Sequence, residues 1–118
     1  SNAVMNIHPA LLPSFIGMQG QKDAHEYGVK IAGLTIHFAD EKFDHGPVII
    51  QAAVPVLDED TVDDLKDRIL ALEHRPRRQA VQWFAQGRLQ IRGRRVYLDG
   101  SPTTIGHYHL VWPPLEID

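Results

Sequence analysis

The sequence contains no cysteine, which excludes disulfide bonds and thiolate chemistry and suits the cytosol. It also lacks any apolar run approaching the length needed to cross a bilayer, so no membrane association is predicted. Basic tracts are scarce as well, because the longest covers residues 92–95 in a chain of formal net charge −3. This charge balance gives no reason to expect nucleic acid as a partner.

What remains is an ordinary globular composition in a chain of 118 residues. Hydrophobic residues make up 43% and charged residues 23%, which is enough apolar material for one core, so we expect a single domain. Residues 1–3 resemble the remnant of an expression tag, and an apolar run begins at once from Val4. We therefore expect residues 4–118 to be the folding part, cut from something longer.

Periodicity and turn residues predict a mixed order of strands and helices. The firmest helix follows an acidic cluster and carries an apolar stripe, with Thr61 as its predicted cap and Pro76 predicting a kink or break. Residues 48–56 are apolar at nearly every position, as expected for a strand covered on both faces. The predicted elements are strands over residues 4–7, 30–39 and 48–57, helices over 21–27 and 61–86, a loop over 10–20, and a hairpin of 89–92 with 95–98.

Three polar residues stand out against this apolar background. Asn6 and His8 lie two apart in the first strand, so strand alternation points both side chains to one side. Asp44 lies in the acidic loop between the second and third strands. An amide, an imidazole and a carboxylate held on rigid backbone are able to move a proton while stabilising an oxyanion.

Each of these residues also has a purely structural interpretation. Asn6 and His8 would be satisfied by hydrogen bonds if they were buried, and Asp44 would start a turn through its side chain. The chain has seven histidines, but none forms a ligand-spaced pair on an evident helix, and His107 and His109 have no carboxylate or cysteine nearby. No metal is therefore predicted.

Three stretches together resemble, in order and spacing, the C-terminal half of the glycinamide ribonucleotide formyltransferases of purine biosynthesis. They are residues 6–15 (NIHPALLPSF), residues 33–49 (GLTIHFADEKFDHGPVI) and the pair Glu73 and His74. The resemblance implies a cytoplasmic enzyme with a Rossmann-like α/β fold whose N-terminal half is missing here. The part expected in this chain is a short parallel strand, an antiparallel strand pair, a long helix and a terminal hairpin.

The resemblance also implies a reaction. This family moves the formyl group of its co-substrate, 10-formyltetrahydrofolate, to the amine of glycinamide ribonucleotide, with no metal and no covalent intermediate. By resemblance, Asn6 holds the formyl oxygen, His8 stabilises the charge growing there, and Asp44 collects the amine proton. The implied substrate-binding residues are Pro9 and Glu73, and the implied folate-binding residues are Ala39, Asp40, Glu41 and Asp44.

The chain departs from the family pattern at two places. Gln19 and Gln21 stand where family members commonly have histidines, and Pro76 stands two residues before the position where a Tyr-Pro pair is usual. Neither departure touches the three proposed catalytic positions, but the amides at 19 and 21 change the loop on the substrate side.

Two alternative functions stay open. The hydrolase that removes the formyl group from 10-formyltetrahydrofolate also resembles residues 33–49, although Pro9 stands where that enzyme typically has a second histidine. The second alternative is a non-catalytic folate-binding or assembly module. Without an N-terminal half the chain would expose apolar faces and an open strand edge, so we expect it to be inactive alone and to self-associate.

Overall fold

A computed structural model describes residues 4–39, 45–100 and 110–117 of the chain. Within these ranges five strands and two helices follow one another, and their order confirms the predicted α/β arrangement. Asp40, Glu41 and Asp44 lie outside the described residues, as do residues 1–3 and 101–109. The elements are β1 (Met5–His8), α1 (Gly20–Tyr27), β2 (Ile31–Phe38), β3 (Val48–Pro55), α2 (Val62–Ala85), β4 (Leu89–Arg92) and β5 (Arg95–Leu98).

The described strands form one sheet in the order β1-β2-β3-β5-β4. β1, β2 and β3 are antiparallel neighbours, which confirms the expected antiparallel strand pair, and β4 with β5 forms the expected terminal hairpin. Within the described sheet the parallel contact joins β3 to β5, at Val48 and Arg95. The short opening strand, β1, runs antiparallel to β2, which is its partner among the described strands.

β2 lies at the centre of the packing and is covered on both faces. All of its residues after Ile31 are buried. One face of β2 belongs to an apolar core that it shares with both helices, while the alternate positions, Thr35 and His37, face the other way. The buried members of the core are Ala24, Ala32, Leu34, Ile36, Val54, Val56, Leu65, Ile69 and Ala80.

The prediction that β3 is covered on both faces is wrong. Gln51 and Ala53 are exposed, while Val54 on the alternate face is buried. Small alanines and a glutamine tolerate water, so an apolar run that contains them does not require burial on both sides. The doubly covered strand is instead β2, in which residues of both faces are buried.

The long helix α2 confirms the prediction over residues 61–86. The Thr61 side chain accepts a hydrogen bond from the Asp64 backbone N–H, and the Asp64 side chain accepts one from the Thr61 N–H, forming a capping box. The predicted alternative of a broken helix is wrong, because α2 continues through Pro76. Beyond the proline, Ala80 is fully buried and the Phe84 ring packs against Phe38 with centroids 6.1 Å apart, which holds this half of the helix on the sheet.

Two glycines with positive φ lie where one element ends and where two others are joined. Gly28 ends α1 in the left-handed conformation, with φ of 86°, and its N–H donates to the carbonyl of Ala24. Gly93, with φ of 62°, lies in the turn between β4 and β5. Neither α1 nor α2 is both long and apolar enough to cross a membrane.

Asp60 joins the two helices to the end of β3. Its carboxylate accepts hydrogen bonds from both terminal nitrogens of Arg68, at 2.6 and 2.9 Å, and from the Leu57 N–H at 2.7 Å. Its backbone carbonyl accepts from the His25 ring of α1 at 2.6 Å. The hydrogen bonds from Arg68 are the main reason that the pKa of Asp60 falls from 3.8 to about 2, against a burial that acts in the opposite direction.

Replacement of Asp60 by Asn should therefore lower the free energy of unfolding at neutral pH by about 2 kcal/mol. A carboxylate whose pKa is lowered by folding contributes its stability above its unfolded pKa, and that contribution is lost as pH falls towards the folded value. Urea unfolding should show that the difference in free energy of unfolding between the unmodified and Asp60→Asn proteins narrows by about 1 kcal/mol from pH 6 to pH 3. Asp58→Asn is the matched control, because the Asp58 pair with Lys30 is exposed and should change stability by less than about 0.5 kcal/mol.

Candidate functional site

Four polar side chains lie together on one face of β1 and β2. Asn6 is paired in register with His37, and His8 with Thr35, so the antiparallel ladder brings each pair to the same side of the sheet. Thr35, His37 and His8 are buried, with exposed fractions of 0%, 1% and 4%, whereas Asn6 is exposed. The prediction that Asn6 and His8 share one side of the strand agrees with this register. The exposed amide is the member of the group that meets solvent.

The His8 ring is held by the loop that follows β1. Its Nε2 lies 2.7 Å from the backbone carbonyl oxygen of Phe15. Because a carbonyl only accepts hydrogen bonds, Nε2 carries the hydrogen. Phe15 has a φ of 52°, in the left-handed region that non-glycine residues rarely adopt, and such conformations persist where surrounding contacts fix them.

Residues 10–15, which we call the strap, cross the polar face of the sheet. Thr35 Oγ1 donates to the Ala10 carbonyl at 2.7 Å and accepts from the Leu12 N–H at 3.0 Å. Gln51 Nε2 lies 3.0 Å from both the Thr35 hydroxyl and the Leu12 carbonyl. The strap thus lies against the pair of His8 and Thr35 on this face.

The second boundary of the site lies where β2 ends. The Ala39 N–H donates to the Val4 carbonyl at 2.7 Å, and the Phe38 N–H donates to the Pro47 carbonyl at 3.0 Å. The register between β2 and β3 shifts between Ile36 and His37, a bulge of the kind common beside functional sites. Of the predicted folate-binding residues, Ala39 is therefore next to the opening strand, while Asp40, Glu41 and Asp44 lie outside the described residues.

The two predicted substrate-binding residues are in different places. Pro9 directly follows β1 and is half-buried beside His8 in the sequence. Glu73 lies on α2, which packs on the apolar face of the sheet, and its carboxylate is 3.5 Å from the Arg77 guanidinium. Pro9 is thus adjacent to the polar face, and Glu73 comes from the helix on the opposite face.

Three residues of this site were not predicted from the sequence: Thr35, His37 and Gln51. A signal was available for the first two, because Thr35 and His37 alternate with Leu34, Ile36 and Phe38 in an otherwise apolar strand. Buried polar residues in such a pattern need partners and are often functional or positioning groups. Gln51 gave no signal of its own, since its role depends on a strap 39 residues away.

The arrangement offers hydrogen-bond donors to an oxygen that gains negative charge. The exposed Asn6 amide has two N–H donors, and His8 beside it is oriented by its bond to Phe15. No group of three His, Cys, Asp or Glu side chains in the described ranges is placed to hold a metal ion.

Comparison with known proteins connects this site to one family. The sequence model of the formyl transferase family, described as "Formyl transferase", matches residues 1–81. The phosphoribosylglycinamide formyltransferase of Escherichia coli (strain K12) is 40% identical over 98 residues, which are 83% of this chain and 46% of that protein. The chain therefore spans about half the length of the curated relatives it matches.

Solved structures show similarity to the same family. The crystal structure of glycinamide ribonucleotide transformylase 1 from Symbiobacterium toebii superposes with a TM-score of 0.81 at 57% identity, covering 82% of this chain and 46% of that one. A formyltetrahydrofolate deformylase from Pseudomonas syringae pv. tomato superposes with a TM-score of 0.79 at 28% identity, covering 83% of this chain and 33% of that one. Since the family match covers well over half of its residues, this chain belongs to the formyl transferase family.

Proposed function

We propose that the complete protein, meaning this chain together with the further length that its relatives have, transfers the formyl group of 10-formyltetrahydrofolate to the amine of glycinamide ribonucleotide. Family membership and the names of the relatives at 40% and 57% identity support this reaction. The observation that carries it is the pair Asn6 and His8 on one side of β1, bordered by the strap and by the start of the loop at Ala39. As an enzyme of purine biosynthesis it would act in the cytoplasm.

The proposed chemistry follows from the charges that develop. When the amine attacks the formyl carbon, a C–N bond forms, the formyl oxygen becomes negative and the attacking nitrogen becomes positive. In this proposal the Asn6 amide donates to the oxygen, and His8 stabilises the same charge as the imidazolium, donating from Nδ1 while Nε2 stays bonded to the Phe15 carbonyl. Asp44 takes the proton from the nitrogen, directly or through water. Collapse then breaks the bond to the folate nitrogen, which leaves with the proton that Asp44 gives up.

We assign the binding roles on the same basis. The folate would bind at the loop after β2, through Ala39, Asp40, Glu41 and Asp44. The two described ends of that loop support this assignment, because Ala39 is bonded to Val4 and Pro47 to Phe38, close to the Asn6–His37 pair. Pro9 and Glu73 would contact the nucleotide, Pro9 from the end of β1 and Glu73 from α2.

The main alternative is hydrolysis of 10-formyltetrahydrofolate, which the similarity to the Pseudomonas syringae deformylase favours. The transferase is the better supported reading, because identity to the Symbiobacterium toebii transformylase is 57% against 28% to the deformylase. The two reactions differ in the acceptor, which is an amine in one and water in the other.

An assay of the complete protein separates these functions. With 10-formyltetrahydrofolate as donor, we expect formyl release only when glycinamide ribonucleotide is present, with formylated product in equal amount. Equal release with and without the nucleotide would identify the hydrolase. Folate binding with neither product would identify a non-catalytic module and contradict both enzymatic proposals.

We propose that residues 4–118 form the C-terminal portion of the formyltransferase domain and that this portion alone is inactive and self-associates. β1 is an end strand of the described sheet, so it pairs with β2 on one side and with no described strand on the other. Exposed apolar residues on α2 include Leu70, Val81 and Phe84. Sedimentation equilibrium should show the isolated chain as a dimer or larger. A compact monomer at all concentrations would contradict self-association, and transfer by the isolated chain would contradict its inactivity.

A further inference from the structure

We propose that Thr35 and Gln51 are positioning residues that act through the strap to fix the imidazole of His8. The importance of this positioning for turnover rests on the proposed function, in which His8 acts on the formyl oxygen. The positioning itself is a property of the chain without ligand and is tested without any assay of activity.

The first support is the hydrogen-bond environment of Thr35. A hydroxyl can donate one hydrogen bond and accept two, and Thr35 makes all three, to the Ala10 carbonyl and from Leu12 and Gln51. The residue is fully buried, so water does not compete for these bonds. Loss of the hydroxyl would leave the Ala10 carbonyl and the Leu12 N–H without their partner in a buried region.

The second support is the close approach of the strap to β2. A Cβ atom added at Gly33, two residues before Thr35 on the same face of the strand, would lie 2.8 Å from the Leu11 side chain. Glycine therefore leaves the space that the strap occupies. Gln51 on β3 reaches the strap from the other side of Thr35, through the Leu12 carbonyl.

The third support is at the far end of the strap, where it returns to β1. The Phe15 carbonyl accepts the hydrogen of His8 Nε2, and His8 is the cross-strand partner of Thr35. Thr35 is thus bonded to the strap, the strap is bonded to His8, and His8 lies opposite Thr35 in the sheet. Because the Phe15 carbonyl selects the nitrogen that carries the hydrogen, a strap held in place sets both the ring orientation and the tautomer of His8.

Nitrogen-15 NMR of the histidine rings tests the inference in the 118-residue chain, at a pH well above the range in which imidazoles titrate. In the unmodified chain, His8 should be the tautomer with hydrogen on Nε2. Thr35→Val, which keeps the volume and removes the hydroxyl, should give a mixture of tautomers and at least about tenfold faster hydrogen exchange at the Leu12 amide. Thr35→Ser keeps the hydroxyl and should behave as the unmodified chain does.

His25 provides an internal control for folding, since its Nε2 is bonded to the Asp60 carbonyl in another part of the molecule. If Thr35→Val changes the His25 signals as well, the variant has lost its fold, and Gln51→Ala, at an exposed position, replaces it. Gln51→Ala should also give a mixture of His8 tautomers and faster hydrogen exchange at the Leu12 amide, with smaller changes than Thr35→Val. An unchanged His8 tautomer in the folded variants, or equal effects of Thr35→Ser and Thr35→Val, would overturn the inference.

In the complete protein the same variants separate the two proposals. Thr35→Val should lower kcat at least about tenfold with little change in KM, while Thr35→Ser retains most of the rate. Full activity of Thr35→Val despite a mixed His8 tautomer would overturn the positioning role. If the unmodified complete protein transfers no formyl group, the proposed function fails, while the NMR result still decides whether Thr35 and Gln51 fix His8.

Discussion

Replacement of Asn6 or His8 by alanine in the complete protein should lower kcat for formyl transfer by about 10²- to 10³-fold, the usual cost of removing one donor to a developing oxyanion. Asn6 is exposed, so its loss should leave the free energy of unfolding nearly unchanged while the rate falls. His8 is buried at 4% exposure and bonded to Phe15, so its replacement should also lower stability. The measurements are steady-state kinetics and thermal unfolding of each variant.

Two residues with the same side-chain groups, an amide and an imidazole, serve as controls, because both are exposed on α2 and outside the polar face. Gln82→Ala corresponds to Asn6→Ala and His74→Ala to His8→Ala, and both controls should keep the rate within about twofold. An Asn6→Ala protein with more than about a third of the normal kcat would contradict the role assigned to that amide. A fall in rate confined to His8→Ala would assign the oxyanion to the imidazole alone.

Local patterns in the sequence were sufficient for most of the secondary structure. The stripe on α2, its cap at Thr61 and the hairpin of β4 and β5 each depend on residues close in sequence, and each prediction is confirmed. The coverage of β2 and β3 was not predictable in this way. It depends on which strand the helices pack against, and two apolar runs of equal length carry no sign of that choice.

The same distinction between local sequence patterns and distant contacts applies to the residues of the site. Asn6 and His8 were recognisable because strand alternation relates residues two apart. Thr35 was visible as a polar residue in an apolar strand, but its role and that of Gln51 were not predictable, since their hydrogen bonds to the strap join residues 23 and 39 positions apart. The conformation of Phe15, which turns its carbonyl towards His8, likewise follows from packing rather than from any local preference for the left-handed region.

Gly33→Ala should be the most destabilising single-methyl change in the described sheet, lowering the free energy of unfolding by about 3 kcal/mol or more. The added Cβ would overlap the backbone carbonyl of Ala52 on β3 and press on the Leu11 side chain of the strap. A backbone carbonyl in the middle of a strand pair is unable to move aside without breaking ladder bonds, so β2 and β3 must separate locally. Urea unfolding of the 118-residue chain measures the loss.

Gly87→Ala is the matched control for that change, because Gly87 has a φ of 70° and no atom within 4 Å of an added Cβ. It should cost about 1 kcal/mol, the backbone penalty alone. If Gly33→Ala cost no more than this control, the close contact between β2 and β3 would not exist in solution. If it retained stability but accelerated hydrogen exchange at Leu12, the strap rather than the sheet would have yielded, and the orientation of His8 would be lost before the fold.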